Sequence, residues 1–184
     1  SVGFMSILGQ VRTYLAVLPK ARRNRTDLLR WLGRRPQLLG ATAGYELALV
    51  ASARMPSRLK TLAELKASTL ITCEYCIDIG SALARHEGIT EAQLRALPSY
   101  RTSDEFTDTE VLVLDLAEAM TRTPTEVPDE LRERLLQRFT PAAVVELMAT
   151  IAWENQRGRL NQALGVRPSG FSDGMVCAVP EVGT

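Results

Sequence analysis

The chain is short of aromatic residues, has a single histidine and three cysteines, and lacks any long apolar run. Aromatics make up only 5% of its 184 residues, and no stretch alternates β-branched with polar residues, so strands have little support. No apolar segment approaches the roughly 20 residues that a membrane-spanning helix needs. The apolar stretch Tyr14 to Leu18 is short and is followed, not preceded, by arginines, unlike a secretion signal. A cytoplasmic, reducing setting with no membrane partner is therefore expected. In such a setting a cysteine pair serves catalysis or metal binding more often than structure.

What is present is Leu, Ala and Arg, in an apolar fraction of 46%, the composition of an all-α protein long enough to bury a core. Charge is uneven. Residues 1–60 hold 11 Lys and Arg against only Asp27 and Glu46, while the remainder is acidic. Without interleaved aromatics or a nucleic-acid motif, the two parts are expected to attract each other within the molecule or across subunits, not to bind nucleic acid.

Punctuation divides the chain into helices. Short amphipathic stretches are predicted over Val11–Leu18 and Asp27–Leu32, and Pro36 opens a helix with Leu38, Leu39, Ala43, Leu47 and Val50 on one face. A helix from Ser57 to about Leu70 precedes a second one carrying the cysteines, with Thr72 as its N-cap and Gly88 as its stop. Thr90 and Thr107 begin capping boxes, Pro128 fits a first helical position, and Thr140-Pro141 starts the longest helix, reaching Leu164. Three regions follow: a basic helical segment (1–55) packed on the core, a core (56–165), and an irregular tail (166–184) expected to need a partner surface.

Cys73 and Cys76 are the most informative residues. Spaced by three at a helix start, they share a face close enough to form a disulfide, and the helix N-terminus favours a thiolate. Glu74 and Asp78 would oppose that charge if close. A zinc site needs about four ligands. His86 would lie roughly 15 Å further along the same helix, and Cys177 is far off in the tail. Redox chemistry without a metal is therefore the favoured reading over metal binding or simple packing.

The stretch Arg58 to Glu64, then Cys73 to Ser81, resembles the carboxymuconolactone decarboxylase superfamily in its alkylhydroperoxidase (AhpD-like) branch. Phe139 to Leu147 and Ala152 to Asn161 are similar to the long helix of that family. The resemblance implies an AhpD-like helical fold that forms homo-oligomers and reduces peroxides or disulfides without a cofactor. By the same resemblance Cys76 is oxidised, Cys73 resolves it, and an external dithiol or protein reductant resets the pair. The family's relay glutamate and histidine fall here at Thr61 and Gly80. Glu64, one turn beyond Thr61, is the candidate replacement acid. Tyr75 and Asp78 flank the thiols as candidate positioning groups, His86 is read as a helix-end charge, and Asn155, Arg157 and Asn161 as core or interface hydrogen-bonders. A decarboxylase-like lyase and a non-enzymatic scaffold or redox sensor are the alternatives.

Overall fold

The computed structural model describes residues 2–181, with side chains from Leu8 onward. Its order is α1 (Val2–Val17), α2 (Asp27–Leu32), α3 (Pro36–Ala51), α4 (Ser57–Ile71), α5 (Glu74–His86), α6 (Glu91–Ala96), α7 (Asp108–Thr121), α8 (Asp129–Arg138) and α9 (Pro141–Ala163). Short 3-10 turns lie at Leu18–Lys20 and Leu97–Thr102, and no strand occurs among the described residues. No described helix is long and apolar enough to cross a membrane.

At the centre is α4, packed on α5, α7 and α9. Eleven of its 15 residues are buried, so it is covered on nearly all sides and its polar residues must find partners inside. They do. Lys60 Nζ pairs with Glu146 Oε1 at 2.8 Å, Lys66 Nζ with Glu181 Oε1 at 2.8 Å, and Ser68 Oγ donates to Glu154 Oε1 at 2.6 Å. The main core joins Leu62 and Leu65 of this helix to Leu114 and Leu116 of α7 and to Leu147 and Ile151 of α9.

The capping chemistry explains the boundaries. Thr90 and Thr107 form complete capping boxes, and Thr140 Oγ1 accepts the Ala143 N–H. Pro128 stands one place earlier than its sequence position suggests: with ψ at 148° it is the extended N-cap residue, and Asp129 begins α8. Likewise α1 spans Val2–Val17 instead of Val11–Leu18, because Pro19 breaks it into a 3-10 turn. Helix α3 has no fully buried residue; Leu38 and Leu47 of its predicted apolar face are exposed, and Tyr45 stacks on Trp153 of α9 at 4.3 Å.

The described tail residues, 166–181, are irregular and lie against the chain's own core. The Asp78 carboxylate accepts the backbone N–H groups of Ser169, Gly170, Phe171 and Ser172 and the Ser172 hydroxyl, at 2.6–3.1 Å. Further along, Ala178 N–H donates to Ser81 Oγ at 3.0 Å, and Glu181 reaches Lys66 and Thr69.

Candidate active site

Helix α4 ends in a tight reversal. Thr72 takes a left-handed conformation (φ 60°), unusual for a β-branched residue, and Gln162 Nε2 braces it by donating to the Ile71 and Thr72 carbonyls at 2.6 and 3.0 Å. The next residue, Cys73, is the N-cap of α5, a place the sequence assigned to Thr72. Its sulfur accepts the Cys76 N–H at 3.3 Å, as a capping oxygen would. Cys73 and Cys76 lie at disulfide-bonding distance, with Cα atoms 5.3 Å apart. Both are buried, but only Cys76 lines the large cavity beside them.

That cavity has a volume of about 420 Å³ and lies between the core and the three N-terminal helices. Leu15, Leu28, Leu47, Ile79 and Leu83 are among its apolar walls, and Glu64, Tyr75, Arg157 and Asn161 gather on its polar side with Cys76. Thr61 and Gly80 also face it, so the two relay positions implied by the resemblance are on the wall but carry no ionisable group. A Cβ on Gly80 would come 2.9 Å from Leu65 Cδ2, so a larger residue there requires that leucine to move.

Glu64 is held by Arg157, which also pairs with Glu46 of α3 at 2.8 Å and with Glu154; the Glu64 contact is 3.1 Å. Three carboxylates thus surround one guanidinium. Burial pushes the Glu64 carboxyl up to about 7, helped by Glu154 and Glu46 and opposed by Arg157. Burial likewise raises Glu154, while the neighbouring carboxylates hold Arg157 firmly protonated. Tyr14 of α1 joins this group, and burial together with Glu64 keeps its phenol protonated.

Other candidates are placed elsewhere. Asp78 serves the tail and not the thiols. Tyr75 lines the cavity and meets Phe171 edge-on at 6.1 Å. Exposed His86 ends α5, and Cys177 lies against Ser172 at 2.9 Å. Asn155 bonds Thr121 and Ile151 within the fold, at 2.9 and 3.0 Å. Asn161, by contrast, donates to Cys76 Sγ at 3.6 Å. Sequence reasoning passed over Asn161, Arg157, Glu46 and Tyr14 as site residues. Only the Asn/Arg-rich composition of 155–161 signalled two of them. Among the described residues no three His, Cys, Asp or Glu side chains are grouped to hold a metal ion.

These features define an all-α protein whose CxxC pair caps a helix and opens on an apolar cavity with a buried acid. The carboxymuconolactone decarboxylase family model matches residues 36–119. An uncharacterised Escherichia coli (strain K12) protein, YnjA, is 31% identical over 155 residues, 83% of this chain and 82% of that protein. Among solved structures, the alkylhydroperoxidase AhpD core of an uncharacterised peroxidase-related protein from Ralstonia eutropha JMP134 superimposes with a TM-score of 0.70. It is 21% identical, with 84% of this chain and 82% of that one covered. The apo debrominase Bmp8 gives a TM-score of 0.72 at 22% identity, with 90% and 87% covered. The chain belongs to the carboxymuconolactone decarboxylase family, and its fold is AhpD-like.

Proposed function

We propose that this protein is a thiol-dependent oxidoreductase that reduces a peroxide, or a small disulfide, carried on an apolar organic group. The observation that carries this reading is the asymmetry of the pair: Cys76 lines the cavity, whereas Cys73, at disulfide-bonding distance from it, does not. In the peroxide reaction the Cys76 thiolate attacks the terminal peroxide oxygen. An S–O bond forms, the O–O bond breaks, and the departing alkoxide takes the Glu64 proton to leave as an alcohol. The Cys73 thiol then attacks the sulfenic sulfur, closing the disulfide and releasing water. An external dithiol returns two electrons and two protons by thiol–disulfide exchange. A cytoplasmic setting, where such dithiols are maintained, suits the cycle.

The residue 1–55 segment acts in this scheme as the cover of a 56–165 core, supplying apolar wall and Glu46. Its exposed Leu29, Trp31, Leu38 and Leu47 suit packing against a second copy of the chain. A decarboxylase acting on a lactone acid would need free cations for carboxylates. Arg157 is the one cationic side chain on the cavity wall among the described residues, and it already faces three carboxylates. The test is peroxide-dependent oxidation of an added dithiol. Cys76→Ser is expected to abolish it, while Cys73→Ser is expected to form the Cys76 sulfenic acid without closing an intramolecular disulfide. Unchanged turnover in Cys76→Ser refutes the proposal.

A further inference from the structure

One face of α9 is pressed against the cysteine turn. Gly158, Asn161 and Gln162 recur at helical spacing, and all three meet the α4–α5 junction. A Cβ on Gly158 would stand 3.3 Å from Ile71 Cδ1 and 3.7 Å from Cys73 Cβ, so the bare glycine permits this close approach. Gln162 holds the carbonyls of the reversal. Between these two contacts Asn161, only 3% exposed, aims its Nδ2 at Cys76 Sγ from 3.6 Å.

The two sulfurs are served differently. Cys73 Sγ takes a backbone N–H at the start of α5, whereas Asn161 is the only side chain among the described residues that donates to Cys76 Sγ. No unpaired cation lines the cavity among the described residues. Arg157, one turn before Asn161 on the same face, is engaged by Glu46, Glu64 and Glu154. Gly80, one turn after Cys76 on α5, brings no donor. The Cys76 sulfur therefore faces a mostly apolar space with one neutral amide behind it.

We propose that Asn161 is the residue that stabilises Cys76 as the attacking thiolate and fixes its sulfur toward the cavity. The amide meets a disulfide-bonded sulfur in this structure; once the pair is reduced, an N–H donor binds an anionic sulfur much more strongly than a neutral thiol, so it shifts the balance to the thiolate. A neutral donor does so without burying a further positive charge. It also selects between the cysteines. The helix start serves Cys73, but only Cys76 has both this amide and access to the cavity. The assignment rests on the thiol chemistry proposed above, yet it concerns ionisation and not turnover.

The test therefore needs no peroxide. In a Cys73→Ser, Cys177→Ser background Cys76 is the only thiol of the chain, and the pH profile of its alkylation by iodoacetamide reports its ionisation. Replacing Asn161 by Leu is expected to raise the midpoint of that profile by about one to two pH units. Asn161→Asp, similar in shape but negatively charged, is expected to raise it further. A purely structural role would change the melting temperature or the limiting rate and leave the midpoint in place. If Asn161→Leu does not fold, the near-isosteric Asn161→Asp decides alone. Midpoints matching the background protein overturn the assignment. A wild-type protein inactive on peroxides would sink the functional reading and leave this titration interpretable, so the two failures are distinguishable.

Discussion

At the residue scale the group with the largest consequence is Glu64. Its carboxyl is held up to about 7 by burial against an ordinary value of 4.5, so the folded chain keeps a proton there that the unfolded chain has already released. The stability it contributes is complete below 4.5 and is lost as pH rises toward 7. Glu64→Gln is expected to flatten that part of the stability-against-pH curve, measured by urea unfolding between pH 4.5 and 7.5. The same variant is expected to lower peroxide turnover by about 10²-fold, the usual worth of a general acid. It should also remove the fall in activity of the wild type as pH passes about 7. A Gln variant that keeps the wild-type pH profile would contradict the proton-donor role. The cysteine pair could be read as a candidate because its members are neighbours in sequence, and Glu64 because it lies one turn beyond Thr61. Glu46 and Tyr14 could not. They reach the site from two other helices, and nothing local in their sequence surroundings encodes that meeting.

At the scale of elements, α5 has two jobs: its first turn carries the cysteine pair, and its next turn anchors the tail. Asp78 accepts four backbone N–H groups and one hydroxyl from residues 169–172, and each would be left buried or exposed to water without it. Asp78→Ala is expected to cost about 3 kcal/mol or more, since several charge-assisted hydrogen bonds are lost together. Chemical denaturation measures the loss, and limited proteolysis is expected to cut selectively after Gly165. A variant as stable and as protease-resistant as the wild type would show that the clamp does not order the tail. Helix starts were readable wherever a threonine caps its own helix, as at Thr90, Thr107 and Thr140, because that chemistry is local. The α5 start was misplaced by one residue because a thiol, Cys73, does the capping there. The tail's order was invisible for a different reason: a Pro-, Gly- and Ser-rich stretch reads as irregular, and its anchor lies about 90 residues earlier in the chain.

At the scale of the molecule, three basic side chains of the first third pair, among the described residues, with acids of the remainder. Lys60 of the basic first third is buried against Glu146, Arg58 pairs with Glu110, and Arg23 with Asp173. Buried Lys66 is enclosed by Glu181 of the tail at 2.8 Å, Glu118 at 3.5 Å and the Tyr100 ring, so the core is closed by the last described residues of the chain. The basic N-terminal helices leave their mark elsewhere. They form the far wall of the cavity and bring Glu46 to Arg157, so the cysteine pair adjoins a chamber that the 56–165 region alone does not enclose.

The central claim is that Cys73 and Cys76 are oxidised together by a substrate entering that chamber. It is tested most directly by counting thiols in the fully reduced protein as an apolar organic hydroperoxide is added in substoichiometric steps, with peptide mapping of the product. The expected result is two thiols lost per hydroperoxide consumed, recovered as a single Cys73–Cys76 peptide, with Cys177 still free. Hydroperoxide consumed while all three thiols persist, or no consumption at all, would contradict the account.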